Sequence, residues 1–283
     1  MNDIIHHIDH TTPSEIVDRP VPLARRLYGN PALRRLVVVV LLGAAWQAYG
    51  AWLDNGLLFP SLSDTLAALG EGFASGEIPR KVLISLRVLL MGYGLGIFCA
   101  FVLTALAATS RLGASTLETL TAMLNPLPSI ALLPLAMLWF GLGEASLIFV
   151  LLHAVTWVVA MNTHSGFLSV SHTLRMVGRN YGLSLPGYVV RILMPAAFPS
   201  ILSGLKIGWA FAWRTLVAAE LVFGAASGKG GLGWYIFENK NELEIANVFA
   251  GLLTVIAIGL IVDSLVFGQI EKRTLRRWGM QAH

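Results

Sequence analysis

The residues of this chain that could do chemistry are polar side chains set inside apolar runs. The run from Ala196 to Phe223 carries Lys206, Arg214 and Glu220. A charged side chain at mid-membrane costs about 2.5–3.5 kcal/mol on insertion scales, so each one needs a reason to be there. At about 100° per residue, Lys206, Trp209, Trp213 and Glu220 fall within a stripe of roughly 60°, and Arg214 points to nearly the opposite face. A cation, two amphipathic aromatics and a carboxylate on one face are the makings of a polar path, so Trp209, Trp213 and Glu220 are candidate lining or gating residues. The plainer alternative has Lys206 snorkelling to the membrane surface while Glu220 holds an interhelical hydrogen bond. A second stripe, His153, Trp157 and His164, is either hydrogen-bonded packing or a proton relay.

Several chemistries have no residues to carry them. The chain contains no G-x-x-x-x-G-K-[ST] phosphate loop, no His-Glu-x-x-His helix and no Ser-His-Asp arrangement. Cys99 is the single cysteine and reads as a small core residue. No cofactor or metal is called for, and catalysis within the chain is not expected. Transport against a gradient would therefore draw its energy from another subunit or from an ion gradient.

The elements that position these residues are membrane helices. Hydrophobic residues make up 55% of the 283, charged residues 13%, and mean hydropathy is +0.69. Soluble domains carry about 25% charged residues, so this is a polytopic, all-α membrane protein. Helices that cross a bilayer need about 20 apolar residues, and six segments qualify: Leu33–Leu53, Val82–Ala108, Thr116–Phe140, Ser146–Phe167, Ala196–Phe223 and Ala246–Phe267. The third holds Pro126, Pro128 and Pro134 and is expected to bend. Gly92, Gly94 and Gly96 in the second span, and Gly204 and Gly208 in the fifth, suit close helix contacts.

Basic residues set the orientation. Arg19, Arg25, Arg26, Arg34, Arg35, Arg111, Arg175, Arg179, Arg191, Lys272, Arg273, Arg276 and Arg277 flank one side of the six spans, against Arg80, Lys81, Lys229 and Lys240 on the other. The positive-inside rule then puts both termini in the cytoplasm. Because these charges flank spans instead of forming a soluble basic face, a nucleic-acid partner is excluded. Residues 1–32 are polar, with no apolar run of a cleavable signal, and read as a cytoplasmic tail. Residues 33–80 are the first span and an outer loop, 81–268 a five-helix membrane domain, and 269–283 a basic cytoplasmic tail. In the outer segments, SLSDTLAAL reads as a short helix capped by Ser63. GKGGLGW reads as a flexible turn, followed by Tyr235–Phe237 lying along the membrane surface.

One cytoplasmic loop, about 168–195, has a pattern of its own. Leu174–Tyr181 is a helix candidate after Ser171 as cap, Gly182 suits the left-handed residue that ends it, Pro186 interrupts continuation and Pro195 marks entry to the fifth span. Leu174, Val177 and Tyr181 share one side, built either to dock into a partner or to lie on the membrane.

The spacing resembles the EAA loop of permease subunits of bacterial ABC importers, whose pattern runs E-A-A, three residues, Gly, nine residues, Ile, one residue, Leu-Pro. Met176, Val177 and Gly178 occupy the E-A-A positions, Gly182, Ile192 and Pro195 match, and Met194 replaces Leu. NPLPSIALLPLAMLWFGLGEAS, AWRTLVAAELVFG, GLGWYIF and FAGLLTVIAIGLIVD resemble the nitrate, aliphatic sulfonate and taurine importer permeases. The resemblance implies a MetI-like, type I importer fold in the bacterial inner membrane, surrounded by lipid. It further implies a permease homodimer on two cytoplasmic ABC ATPase subunits, fed by an extracytoplasmic solute-binding protein. Leu174, Met176, Val177, Gly178, Tyr181, Gly182, Ile192 and Pro195 would then be the ATPase-coupling residues, and the cargo a small anion. An ion-coupled carrier using His153, His164 and Glu220 is the alternative.

Overall fold

Helices α1 (Pro31–Leu53), α2 (Leu62–Ala74), α3 (Glu77–Ala107), α4 (Arg111–Leu124), α5 (Leu133–Phe140) and α6 (Glu144–Ser169) make up the first part of the computed structural model. They are followed by α7 (His172–Asn180), α8 (Leu185–Tyr188), α9 (Met194–Ala196), α10 (Phe198–Ser227), α11 (Leu232–Asn241), α12 (Ile245–Ile261) and α13 (Gly268–Arg273). Residues 31–227 and 230–275 are described, and no strand occurs among them. Most of the two expected tails, and Gly228 and Lys229 of the glycine-rich turn, lie outside these residues.

Among the described residues, four helical stretches are long and apolar enough to cross a membrane: Ala32–Leu53, Glu77–Ala107, Glu144–Ser169 and Ile245–Arg273. Counting each of two bent pairs as one span gives six: Arg111–Leu124 with Ser129–Phe140 at 87°, and Pro186–Ala196 with Phe198–Val222 at 78°. The third segment is thus a broken element, not a bent helix. Pro126 and Pro128 lack an N–H to donate four residues back, and the chain leaves the helix at Leu124, just before them, then forms a 3₁₀ turn at Ser129–Leu132. The fifth is preceded by a helical lead-in that sequence reading took for a loop. There Val189–Leu193 is wound as a π-helix.

The centre of the bundle is α6. Over its most apolar stretch 56% of residues are buried, against 6% for the first span, which stands at the periphery. Lipid is as apolar as a leucine side chain, so what holds these helices together is close contact. A Cβ at Gly92 or Gly96 would lie 2.5 Å from Leu151 Cβ or 2.7 Å from Val155 Cβ, so α3 lies directly on α6. Gly204 and Gly208 bring α10 onto Asn162 and Val159 of the same helix in the same way. Gly94 meets nothing and has no such part. Cys99 is half-buried, not core.

Two outer-segment readings are corrected. The cap of α2 is Ser61, whose hydroxyl accepts from Asp64 N at 3.2 Å, with Ser63 one residue inside the helix. Helix α11 does not lie on a surface: Leu232, Tyr235 and Ile236 are buried between α10 and α12. Lys81, read as a loop residue, is inside α3, buried, and paired with Glu238 of α11 at 3.2 Å.

Candidate functional site

Three groups of polar residues stand out. The first is a knot around Glu220. Its carboxylate accepts from Ser85 Oγ of α3 and from Gly233 N of α11, both at 2.8 Å, and Ser85 Oγ accepts in turn from Leu232 N at 2.8 Å. Three helices are thereby joined through one carboxylate that is 2% exposed. Gly231 and Gly233 are required there, because a Cβ on either would collide with the Glu220 side chain. Trp213 donates to Val255 O of α12 at 3.2 Å, and Trp209 stacks edge-on against Tyr93. In this structure Trp209, Trp213 and Glu220 all face into the protomer. Lys206, expected to snorkel, is paired with Asp263 at 2.9 Å.

The second group occupies the opposite face of α10. Arg214, Thr215, Phe211 and Ala218 line an open cavity of about 450 Å³, together with Asn125–Ile130 at the broken segment and His153, Ala154, Trp157 and Val158 of α6. Ser129 Oγ lies 3.2 Å from His153 Nδ1. A neighbouring cavity of about 300 Å³ shares Asn125 and Pro126 and is lined by Glu118, Thr121, His164 and Ser165. His164 Nε2 is 3.3 Å from Glu118. The stripe of His153, Trp157 and His164 therefore borders a polar seam between α6 and the broken segment. Sequence reasoning noted Arg214 but gave it no role, and it missed Asn125, Ser129 and Thr215. The available signal was the sign of the charge: Arg214, Phe211, Thr215 and Ala218 share a face at helical spacing.

The third group surrounds α7. Ser171 caps it through Leu174 N at 3.4 Å, and Gly182 follows it with φ +61°. Leu183 N donates back to Gly178 O at 3.3 Å, the closing bond of a glycine-ended helix. Gly178 lets the Tyr188 ring lie against α7, since a Cβ there would be 2.5 Å from Tyr188 Cδ2, with the half-buried Ile192 beside it. Arg175 hooks α7 to the end of α6: its guanidinium donates to Phe167 O at 2.7 Å and to Val170 O at 3.1 Å. Leu174, Met176, Val177 and Tyr181 are exposed, Tyr181 by 80%. Pro195 is exposed within α9, just before the turn into α10.

Residues 92–274 match the model of the family described as binding-protein-dependent transport system inner membrane component. The chain is 29% identical over 242 residues to a protein assigned as an aliphatic sulfonates transport permease of Escherichia coli (strain K12), covering 85% of this chain and 89% of the relative. It is 28% identical to the nitrate import permease of Synechocystis sp., over 85% and 88% of the two chains. With the taurine transport system permease of Escherichia coli (strain K12) it shares 27% over 85% and 90%.

Proposed function

This chain belongs to the family of binding-protein-dependent transport system inner membrane components, and from that premise we propose that it forms the path of an ATP-driven importer for a small anion. Aliphatic sulfonates, taurine and nitrate, carried in the names of its relatives, support a small-anion cargo. The chain is a multi-pass inner-membrane helical protein of the MetI-like fold. In this reading both termini and α7 are cytoplasmic, residues 81–268 form the permease domain, and two copies sit on two ABC ATPase subunits beneath a solute-binding protein.

The observation that carries the proposal is α7: a nine-residue helix with an exposed apolar side, tied at its base to a membrane helix. Apolar groups outside the bilayer gain from being covered. Leu174, Val177 and Tyr181 would present that side to an ATPase groove, which would cover it. ATP-driven closure of the ATPases would push on α7. Arg175 would pass the push to α6, and the Gly178–Tyr188 contact would pass it through Ile192 and Pro195 to α10. Because α3, α6 and α10 are packed through glycines, they would move as one body in a rocking transition, biased by the different affinity of ATP for its two states.

The test is affinity purification of the tagged chain from its own host. An ABC ATPase subunit should come with it, and Tyr181→Asp or Leu174→Asp should release that subunit while the permease stays monodisperse. Purification without any ATPase, from membranes in which the chain supports uptake, would refute the reading.

A further inference from the structure

We propose that the cavity at the broken segment is an oxyanion-binding subsite in which Arg214 supplies the charge and Asn125, Ser129 and Thr215 supply neutral polar groups. The inference deepens the importer reading above and rests on it for the identity of the cargo.

Among the described residues that line this cavity, Arg214 is the cation and there is no carboxylate. Among the described residues none of the ion pairs involves Arg214. Its Nε donates to Ala210 O at 3.1 Å, one turn back on its own helix, and its guanidinium carbon lies 4.9 Å from the Phe211 ring centroid. Among the described residues neither terminal nitrogen has a protein acceptor, and together they form a fork of the shape that carboxylate, sulfonate and nitrate oxygens fit.

Thr215, Asn125 and Ser129 add neutral polar groups to the lining. The break between α4 and the 3₁₀ turn frees backbone polar groups beside them.

Arg214 lies near the middle of α10, 16 residues from its start and 13 from its end. The cavity volume of about 450 Å³ suits a cargo of a few heavy atoms and its water. Walls from α6 and α10 are the two helices that α7 reaches, so rocking would open and close the subsite.

The experiment uses the full-length chain purified with its co-expressed partners in lipid nanodiscs. Binding of radiolabelled ethanesulfonate is read by scintillation proximity, with nitrate, taurine and chloride as competitors. Wild type should bind saturably and be displaced by nitrate. Arg214→Gln should weaken binding by about tenfold or more, the loss of one charge-assisted contact. Arg214→Lys should recover part of it, with both variants monodisperse. Equal binding by wild type and Arg214→Gln overturns the proposal, as does a wild type that binds none of the three oxyanions. The ATPase in the same preparation reports separately. Arg214-dependent binding without an ATPase keeps the subsite and removes the importer reading, whereas an ATPase present without such binding does the reverse.

Discussion

Replacing Glu220 by alanine should cost this protein more stability than any other single side chain in α10. The carboxylate accepts from the Ser85 hydroxyl and from Gly233 N, each at 2.8 Å, at a position that is 2% exposed. Leaving a buried donor unpaired costs about 1–3 kcal/mol, and bonds to charged groups sit at the upper end. Two orphaned donors therefore give about 3–6 kcal/mol. At about 2–4 °C per kcal/mol for a chain of this size, the midpoint of thermal unfolding should fall by roughly 6–24 °C. Glu220→Gln keeps one acceptor oxygen and should lose about half as much. Ser85→Ala deserts Leu232 N as well as the carboxylate. The double variant should accordingly be less destabilised than the two singles together, by more than about 1 kcal/mol. The assay is fluorescence-detected size exclusion after heating in detergent. A Glu220→Ala midpoint within about 2 °C of wild type, or strict additivity with Ser85→Ala, would refute the reasoning.

Other expectations concern α7 and the bundle. Gly182→Val places a branched side chain at φ +61°, a strain of about 1–2 kcal/mol, and should cut uptake while the permease still inserts, read by transport against membrane yield. Arg175→Ala removes the hooks on Phe167 O and Val170 O and should lower uptake with the ATPase still attached, seen by co-purification. Gly96→Leu forces apart α3 and α6, where a Cβ already meets Val155. It should destabilise by about 1–3 kcal/mol or more in the same heating assay. Lys206→Ala should shift the midpoint little, about 1 kcal/mol or less, because both members of its pair with Asp263 are about half exposed.

Length and apolarity made the membrane helices legible in the sequence, and Gly92, Gly96, Gly204 and Gly208 announced the contacts that bind α3 and α10 to α6. Ser171 and Gly182 marked the ends of α7, because a capping hydroxyl and a left-handed residue act locally. What depends on partners far along the chain stayed hidden. Lys81 looked like a loop charge until Glu238, 157 residues away, was seen beside it. Glu220 reads equally as a path residue or as the holder of an interhelical hydrogen bond, because helical spacing shows which residues share a face but not which way that face turns. The same ambiguity concealed Arg214, whose surroundings come from a break at Asn125–Pro128 and a helix some 60 residues earlier. For α11, GLGWYIF has too few residues for its period to show a buried side.

Uptake of radiolabelled substrate into right-side-out membrane vesicles carrying the chain, its ATPase and its binding protein tests the central claim most directly. The account predicts uptake that stops when internal ATP is removed and continues when a protonophore dissipates the proton gradient. Uptake that survives without ATP and collapses with the protonophore would contradict it.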